Sequence, residues 1–177
     1  MDKLFWGRIS IHKTYTHLFF EKSKASQHIL FNLKYKHNSD IGIVFGKEVG
    51  ARLKTITAFD SVDAYIPIPL HPKKKFIRGY NQSEALAKGI CEELKAKLDV
   101  NAIIRTKHSE TQTKKSRFQR WDNVNKIFKV NDSIMNYKHI VLVDDVITTG
   151  STVEAVAHAL LKKNPKLLIS VVTLAIA

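Results

Sequence analysis

The stretch Val141-Leu142-Val143-Asp144-Asp145-Val146-Ile147-Thr148-Thr149-Gly150-Ser151-Thr152 sets two adjacent carboxylates at the end of an apolar run, followed closely by five consecutive Thr, Gly and Ser residues. Such a run reads as a buried strand, a tight turn and the start of a helix. In open α/β sheets ligands bind beyond the carboxyl ends of strands. A helix N-terminus presents free N–H groups and a partial positive charge, which suits a phosphate. Thr148, Thr149, Ser151 and Thr152 add hydroxyl donors, and Gly150 permits a tight backbone. Asp144 and Asp145 would repel a phosphate unless they have another task, and holding sugar hydroxyls, directly or through Mg²⁺ and its waters, is such a task. The bland alternative is a plain strand-to-helix turn, since Ser151 and Glu154 have capping-box spacing. That accounts for one cap residue, not for two acids and five small residues. Glu154, one turn into the helix, is a tension, because it could compete with a phosphate for an N–H.

Two basic segments could supply the remaining anion contacts. Residues 71–83 carry Lys73, Lys74, Lys75 and Arg78 and no acid. Residues 105–120 carry Arg105, Lys107, Lys114, Lys115, Arg117 and Arg120 against Glu110 alone. A solvated lysine-rich surface explains any one of these lysines equally well. Arg78 and Arg105 stand out because each lies near the end of an expected element, and a guanidinium matches phosphate oxygens bidentately. His71 either faces a ligand or packs under Pro72. Phe118 and Trp121 either stack on a base or anchor the segment around them. His12, His17, His28 and His37 show no metal spacing with carboxylates.

Stepping along the elements that must hold these groups, the spacing predicts strands at Ala64–Leu70, Val100–Ile104, Lys126–Val130, His139–Val143 and Leu167–Ile176. Helices are expected from Ser39, with Ile41, Val44, Phe45, Val49 and Leu53 on one face, from Asn81 with Glu84 as a capping box, and over Thr152–Lys163. Gly42, Gly46 and Gly50 weaken the first of these by roughly 1 kcal/mol each. Strands alternating with helices predict an α/β fold, a mainly parallel central sheet flanked by helices. Residues 1–57 read as an N-terminal helical hood, with Ile29, Leu30 and Leu33 at helical spacing, and 58–177 as the core. The polar stretch Thr106–Asn123 has the length of a lid or binding loop.

The chain has 177 residues, 44% hydrophobic and 25% charged, which suits one globular domain. A formal net charge of +13 favours anionic partners such as nucleic acid or polyphosphate metabolites. The single cysteine, Cys91, excludes an intrachain disulfide and a Cys-based zinc site. No targeting segment or spanning run is visible, so a cytoplasmic protein with no membrane partner is expected.

VLVDDVITTGST resembles the phosphoribosyl-pyrophosphate signature of type I phosphoribosyltransferases, and IPIPLHPKKKFIRGYNQ, LAKGI, RTKHSETQTKKSRFQRWDNV and NLKYKHN resemble the ComF family of phosphoribosyltransferase-like proteins. The likeness covers about residues 28–177. It implies the type I phosphoribosyltransferase fold, with Asp144 and Asp145 on the ribose hydroxyls and on Mg²⁺, through water or substrate, and Thr148, Thr149, Gly150, Ser151 and Thr152 around the 5′-phosphate. It further implies a pyrophosphate loop containing Leu70, His71, Lys73, Arg78 and Gly79, and a catalytic flexible loop beginning near Arg105. Many ComF relatives begin with paired Cys-x-x-Cys motifs that look like a zinc ribbon, from which this chain departs.

The resemblance implies phosphoribosyl pyrophosphate as ligand, Mg²⁺ as cofactor and transfer of the phosphoribosyl group to a nitrogen acceptor, with no covalent nucleophile. Three alternatives stay open. The first is a competence-associated accessory protein for DNA uptake that binds nucleic acid, although no helix-turn-helix, zinc-finger or RNA-recognition signature is present. The second is a catalytically silent binder of the same sugar pyrophosphate. The third is a flavodoxin-like flavin binder, whose phosphate loop would normally follow the first strand and not a late one. Nucleic acid and a second copy of the chain are the other partners left open.

Overall fold

The computed structural model describes residues 1, 4–19, 39–106 and 127–176. Four strands, β1 (Thr14–Phe19), β2 (Ala64–Pro67), β5 (His139–Ile147) and β6 (Leu168–Ile176), form one parallel sheet in the order β1-β6-β5-β2. Two short strands, β3 (Ile103–Arg105) and β4 (Phe128–Val130), pair antiparallel outside it. Four α-helices lie among the described residues: α1 (Ser39–Leu53), α2 (Pro72–Arg78), α3 (Gln82–Leu94) and α4 (Ser151–Lys163).

Both faces of the sheet are covered, which is why β5 and β6 are apolar runs without polar alternation. Ile140 and Leu142 pack with Ile66, Val171 and, from α4, Val153, Val156 and Leu160. Val141 and Val143 point the other way, into a cluster with Val49 and Leu53 of α1 and Leu86 and Ile90 of α3.

Helix α1 turns most of the expected face inward, Val49 and Leu53 fully and Ile41 and Phe45 in part against the same cluster, with three glycines beside them. Its buried residues are Gly42, Gly46, Val49, Gly50 and Leu53, while Val44 is exposed. The glycines let α1 and α3 meet backbone to backbone. A Cβ on Gly46 would stand 2.3 Å from the Leu86 carbonyl oxygen, and one on Gly89 would stand 2.1 Å from that of Ile43. The propensity lost along α1 is offset by this close packing.

Two other expectations need correction. The N-terminal segment, expected to be helical or irregular, contributes β1, the edge strand that pairs with β6 from Thr14↔Val171 to Phe19↔Ile176. The Val100–Ile104 strand does not join the main sheet. There Leu98 makes only a single parallel bridge to Tyr65, and the chain then diverges, so that Ile103–Arg105 pairs with β4. Polar, turn-forming Asp99 and Asn101 cause the departure: Asp99 accepts from Asn101 N at 3.0 Å and from Tyr137 Oη at 2.9 Å. The other expected strands and helices form with shifted ends, β2 stopping at Pro67 and β5 running on to Ile147. The expected helix around Ile29–Leu33 and nearly all of the Thr106–Asn123 loop, with Phe118 and Trp121, lie outside the described residues.

At the N-terminal end of β5, Asp63 Oδ2 accepts from the backbone N–H groups of Lys138 at 2.6 Å and His139 at 2.9 Å, and these two bonds hold its carboxylate below the usual range. The His139 ring reaches Ser61 O at 3.2 Å through Nδ1 and Ser170 Oγ at 2.9 Å through Nε2. A carbonyl only accepts, so Nδ1 carries the proton and Nε2 accepts from the serine hydroxyl. Burial pushes the His139 pKa down.

Candidate active site at the ends of β2 and β5

Strands β2 and β5 are parallel neighbours, with Pro67 opposite Val143, and their C-terminal loops leave the sheet side by side. The connection after β5 runs through α4 on one face, and that after β2 leads to α3 on the other. Loops that part in this way open a crevice at the sheet end.

Asp144 and Asp145 stand at that end. Asp144 Oδ1 accepts from Ser83 Oγ at 3.0 Å and from Asp145 N at 3.0 Å. Asp145 Oδ1 accepts from Val146 N at 2.9 Å. Burial, and then the neighbouring Asp145 charge, push the Asp144 carboxyl well above the ordinary range, against the lowering effect of the Ser83 hydroxyl. Two carboxyl groups this close favour a shared proton or a cation. Among the described residues no group of three or more His, Cys, Asp or Glu could cage a metal. The all-oxygen pair fits Mg²⁺, which keeps several waters and takes one or two carboxylates together with substrate oxygens.

The turn beyond them begins α4. Gly150 is the residue before the helix and has φ 72°, a left-handed conformation that strains any side chain. A Cβ there would also stand 2.9 Å from both Leu4 Cδ2 and Phe5 Cε1. Thr149 Oγ1 donates to Ser151 Oγ at 3.0 Å and accepts from Ser151 N at 3.4 Å. Asp144 and residues 146–153 together line one small concavity of about 40 Å³. The carboxylate and Thr148, Thr149, Gly150, Ser151 and Thr152 thus share a single surface. Glu154 is not a capping-box partner of Ser151; it pairs with Arg8.

The loop after β2 shapes a second, larger cavity of about 570 Å³, lined by Leu70, Lys75, Phe76, Gly79 and Arg105 among others. Leu70, Gly79 and Arg105, drawn from different segments of the chain, thus line one cavity. Arg105 is half-buried, its guanidinium 5.6 Å from the centre of the Phe128 ring, and burial lowers its pKa. His71 is buried and caps α2, Nδ1 accepting from Lys73 N at 3.1 Å. Lys73 is exposed and lines neither cavity. Arg78 donates to Gln82 Oε1 at 2.9 Å, turned toward α3. Glu84, expected in a capping box, pairs with Lys75.

Asn81 joins the two halves. Its Oδ1 accepts from Ser83 N at 3.2 Å, capping α3, while its Nδ2 donates to Ile68 O at 3.0 Å, next to the end of β2. Ser83, held this way, is the residue that reaches Asp144. It escaped the sequence reading, which stopped at the Asn81 cap; a hydroxyl in the first turn of the helix after a candidate anion loop was the available signal.

Residues 81–176 match the phosphoribosyl transferase domain family, a span that begins at Asn81 and contains Ser83, both carboxylates and the whole 148–152 turn. The chain belongs to the ComF family of phosphoribosyltransferase-like proteins. It is 32% identical over 138 residues to the DNA utilization protein YhgH of Escherichia coli O6:H1, an alignment covering 76% of this chain and 60% of that protein. It is 37% identical over 106 residues to competence protein F of Haemophilus influenzae, covering 56% of this chain and 44% of the relative. To competence protein ComFC of Bacillus subtilis it is 28% identical over 145 residues, covering 82% and 57%. The ComF-family chain thus spans about 60% or less of the length of these relatives. Its parallel sheet with flanking helices is the type I phosphoribosyltransferase fold, and the flavodoxin-like alternative falls away. Among the described residues of this ComF-family protein no helix is long and apolar enough to cross a membrane.

Proposed function

We propose that this chain binds phosphoribosyl pyrophosphate with Mg²⁺ at the ends of β2 and β5 and transfers the phosphoribosyl group to a nitrogen acceptor. The observation that carries the reading is the shared concavity: a crowded, half-buried carboxyl beside a helix N-terminal turn of hydroxyls and N–H groups. A phosphate alone would not call for the acids, and a sugar alone would not call for the turn. In this reading Thr148, Thr149, Gly150, Ser151 and Thr152 hold the 5′-phosphate through N–H and hydroxyl donors. Asp144 and Asp145 take the ribose hydroxyls and would hold Mg²⁺, which supplies charge neutralisation for the pyrophosphate. Leu70, Gly79 and Arg105, at the larger cavity, face the pyrophosphate, and Arg105 stabilises its developing charge. The C1–O bond to pyrophosphate breaks and leaves its electron pair on pyrophosphate, a C1–N bond forms, and the acceptor nitrogen gives up a proton to water or to the departing pyrophosphate.

Calorimetry with phosphoribosyl pyrophosphate, with and without Mg²⁺, tests the reading. Ser151→Asp sets a carboxylate where the phosphate is expected; Ser151 opens α4 just after Gly150, where an acid suits the helix N-terminus, so stability should change by no more than roughly 1 kcal/mol. Affinity should fall by roughly a hundredfold to a thousandfold, as expected for like charges a few ångströms apart in a partly dry site. No Mg²⁺-dependent binding by the wild type, or an unchanged affinity in Ser151→Asp, would remove the assignment. Turnover is read separately, as pyrophosphate release in the presence of ammonia, amines or bases; binding without release selects the catalytically silent alternative. The +13 charge and relatives named for DNA utilization and competence favour a second reading, an accessory protein that handles nucleic acid. Binding of DNA that survives loss of sugar-pyrophosphate binding would support it.

A further inference from the structure

The 148–152 turn is not held by α4 and β5 alone. The N-terminal segment lies against it: Leu4 and Phe5 cover Gly150 so closely that no Cβ fits, and Phe5 is 1% exposed. Arg8 completes the contact. Its Nη1 donates to Thr149 O at 2.9 Å and to Leu4 O at 3.2 Å, and its Nη2 pairs with Glu154 Oε2. The side chains of Arg8 and Glu154 are 33% and 26% exposed, so water screens the pair only in part. Glu154 lies in the first turn of α4, the turn whose N–H groups an anion would use. Left alone, its negative charge would oppose a phosphate there. The guanidinium meets that charge and, with the same fork, fixes the carbonyl of a residue in the turn.

We propose that Arg8 is a positioning residue for the anion cradle: it neutralises Glu154 and pins the Thr149 carbonyl, so that the turn receives a phosphate with no competing carboxylate. The proposal rests on the phosphate reading of residues 148–152 and adds a residue from more than 140 positions away in the chain. The rival account is that the Arg8–Glu154 pair merely fastens the N-terminal segment, with no effect on anion affinity.

The test is titration of phosphoribosyl pyrophosphate with Mg²⁺ into the wild-type chain, Arg8→Ala, Glu154→Gln and the double variant, with thermal melts of each. Arg8→Ala should bind about tenfold more weakly, the scale of one partly screened charge a few ångströms from the ligand. Adding Glu154→Gln should recover most of that loss, because the opposing carboxylate is gone, although the ion pair is still missing. Glu154→Gln alone should bind within about threefold of the wild type, or more tightly. An Arg8→Ala affinity equal to that of the wild type, or a double variant no better than Arg8→Ala, overturns the role. If Arg8→Ala does not fold, Arg8→Gln takes its place, alone and with Glu154→Gln, and the same two outcomes decide. If the wild type itself shows no binding, the phosphate reading falls and this inference with it; a wild type that binds while Arg8→Ala matches it removes Arg8 alone.

Discussion

At the N-terminal end of β5 the Asp63 carboxylate accepts two backbone N–H groups and sits below its ordinary pKa range, whereas toward the C-terminal end the half-buried Asp144 carboxyl is crowded by Asp145 and sits well above it. The two ends of one strand thus meet opposite extremes, Asp63 reaching the first from the residue before β2 and Asp144 belonging to the second. At the first end every polar group named has a partner of the right kind: Asp63 with two N–H donors, His139 with a carbonyl and a hydroxyl. At the second end a single serine hydroxyl and one backbone N–H meet Asp144, while the nearest charge is of its own sign. The difference separates a carboxylate met by donors of the right kind from one crowded by a charge of its own sign, the arrangement the proposed function draws on. Sites kept for function commonly cost stability.

Neutralising the site end should have the largest effect, and in two opposite directions. Asp144→Asn with Asp145→Asn should weaken binding of phosphoribosyl pyrophosphate by roughly a hundredfold or more, since each lost charged hydrogen bond is worth about 1.5–3 kcal/mol. The same double change should raise stability by about 1 kcal/mol at pH 7, as release of functional-site strain does elsewhere. The sign follows from linkage: an acid whose folded pKa is raised stabilises the fold at low pH and loses that contribution as pH rises. The asparagine at 144 can still accept from Ser83, so a fall in melting temperature would contradict this view of the pair.

The fold end should answer the other way. Asp63→Ala sends the N–H groups of Lys138 and His139 to water, and because Asp63 is exposed the loss should be only about 1 kcal/mol. Ligand affinity should not move. Asp63 has a lowered pKa, so its contribution is present above about pH 4 and fades as the pH falls through the folded value; the gap between wild type and variant in denaturant midpoint should close on acidification. A gap that widens toward acid would break the comparison.

The smallest effect is a slope. His139 is neutral in the fold with its pKa pushed down by burial, so the unfolded chain takes up a proton first as the pH drops. Melting temperature should therefore decline from pH 7.5 toward pH 5.5, and His139→Gln should flatten that decline. An equal slope in the variant would assign the pH dependence to other groups.

Much of the site was written locally. An apolar run, two acids and a short hydroxyl turn with one glycine specify β5, Asp144, Asp145 and the start of α4, because strand, turn and cap are each decided within a few residues. Asn81 as a helix cap was legible for the same reason. His71 and Arg78 were visible as residue types, but whether each faces a ligand, a backbone N–H or Gln82 depends on where α2 and α3 turn. The hydroxyl of Ser83 found Asp144 only through the packing of α3 against β5.

What the sequence by itself determined about this protein is the chemistry at the end of one strand and the alternation of elements that makes a parallel sheet, both set by short-range periodicity and turn chemistry. Tertiary structure alone decided which strands are neighbours: that Thr14–Phe19 closes the β6 edge, and that Ile103–Arg105 leaves the sheet to pair with β4. It also turned the glycines of α1 from weak helix formers into the surface that α3 packs on, and brought Leu4, Phe5 and Arg8 onto Gly150, Thr149 and Glu154. These contacts join residues tens to more than a hundred positions apart. Pairing energies over such separations appear only once the chain has closed the loops between them, and no local pattern of residues records them.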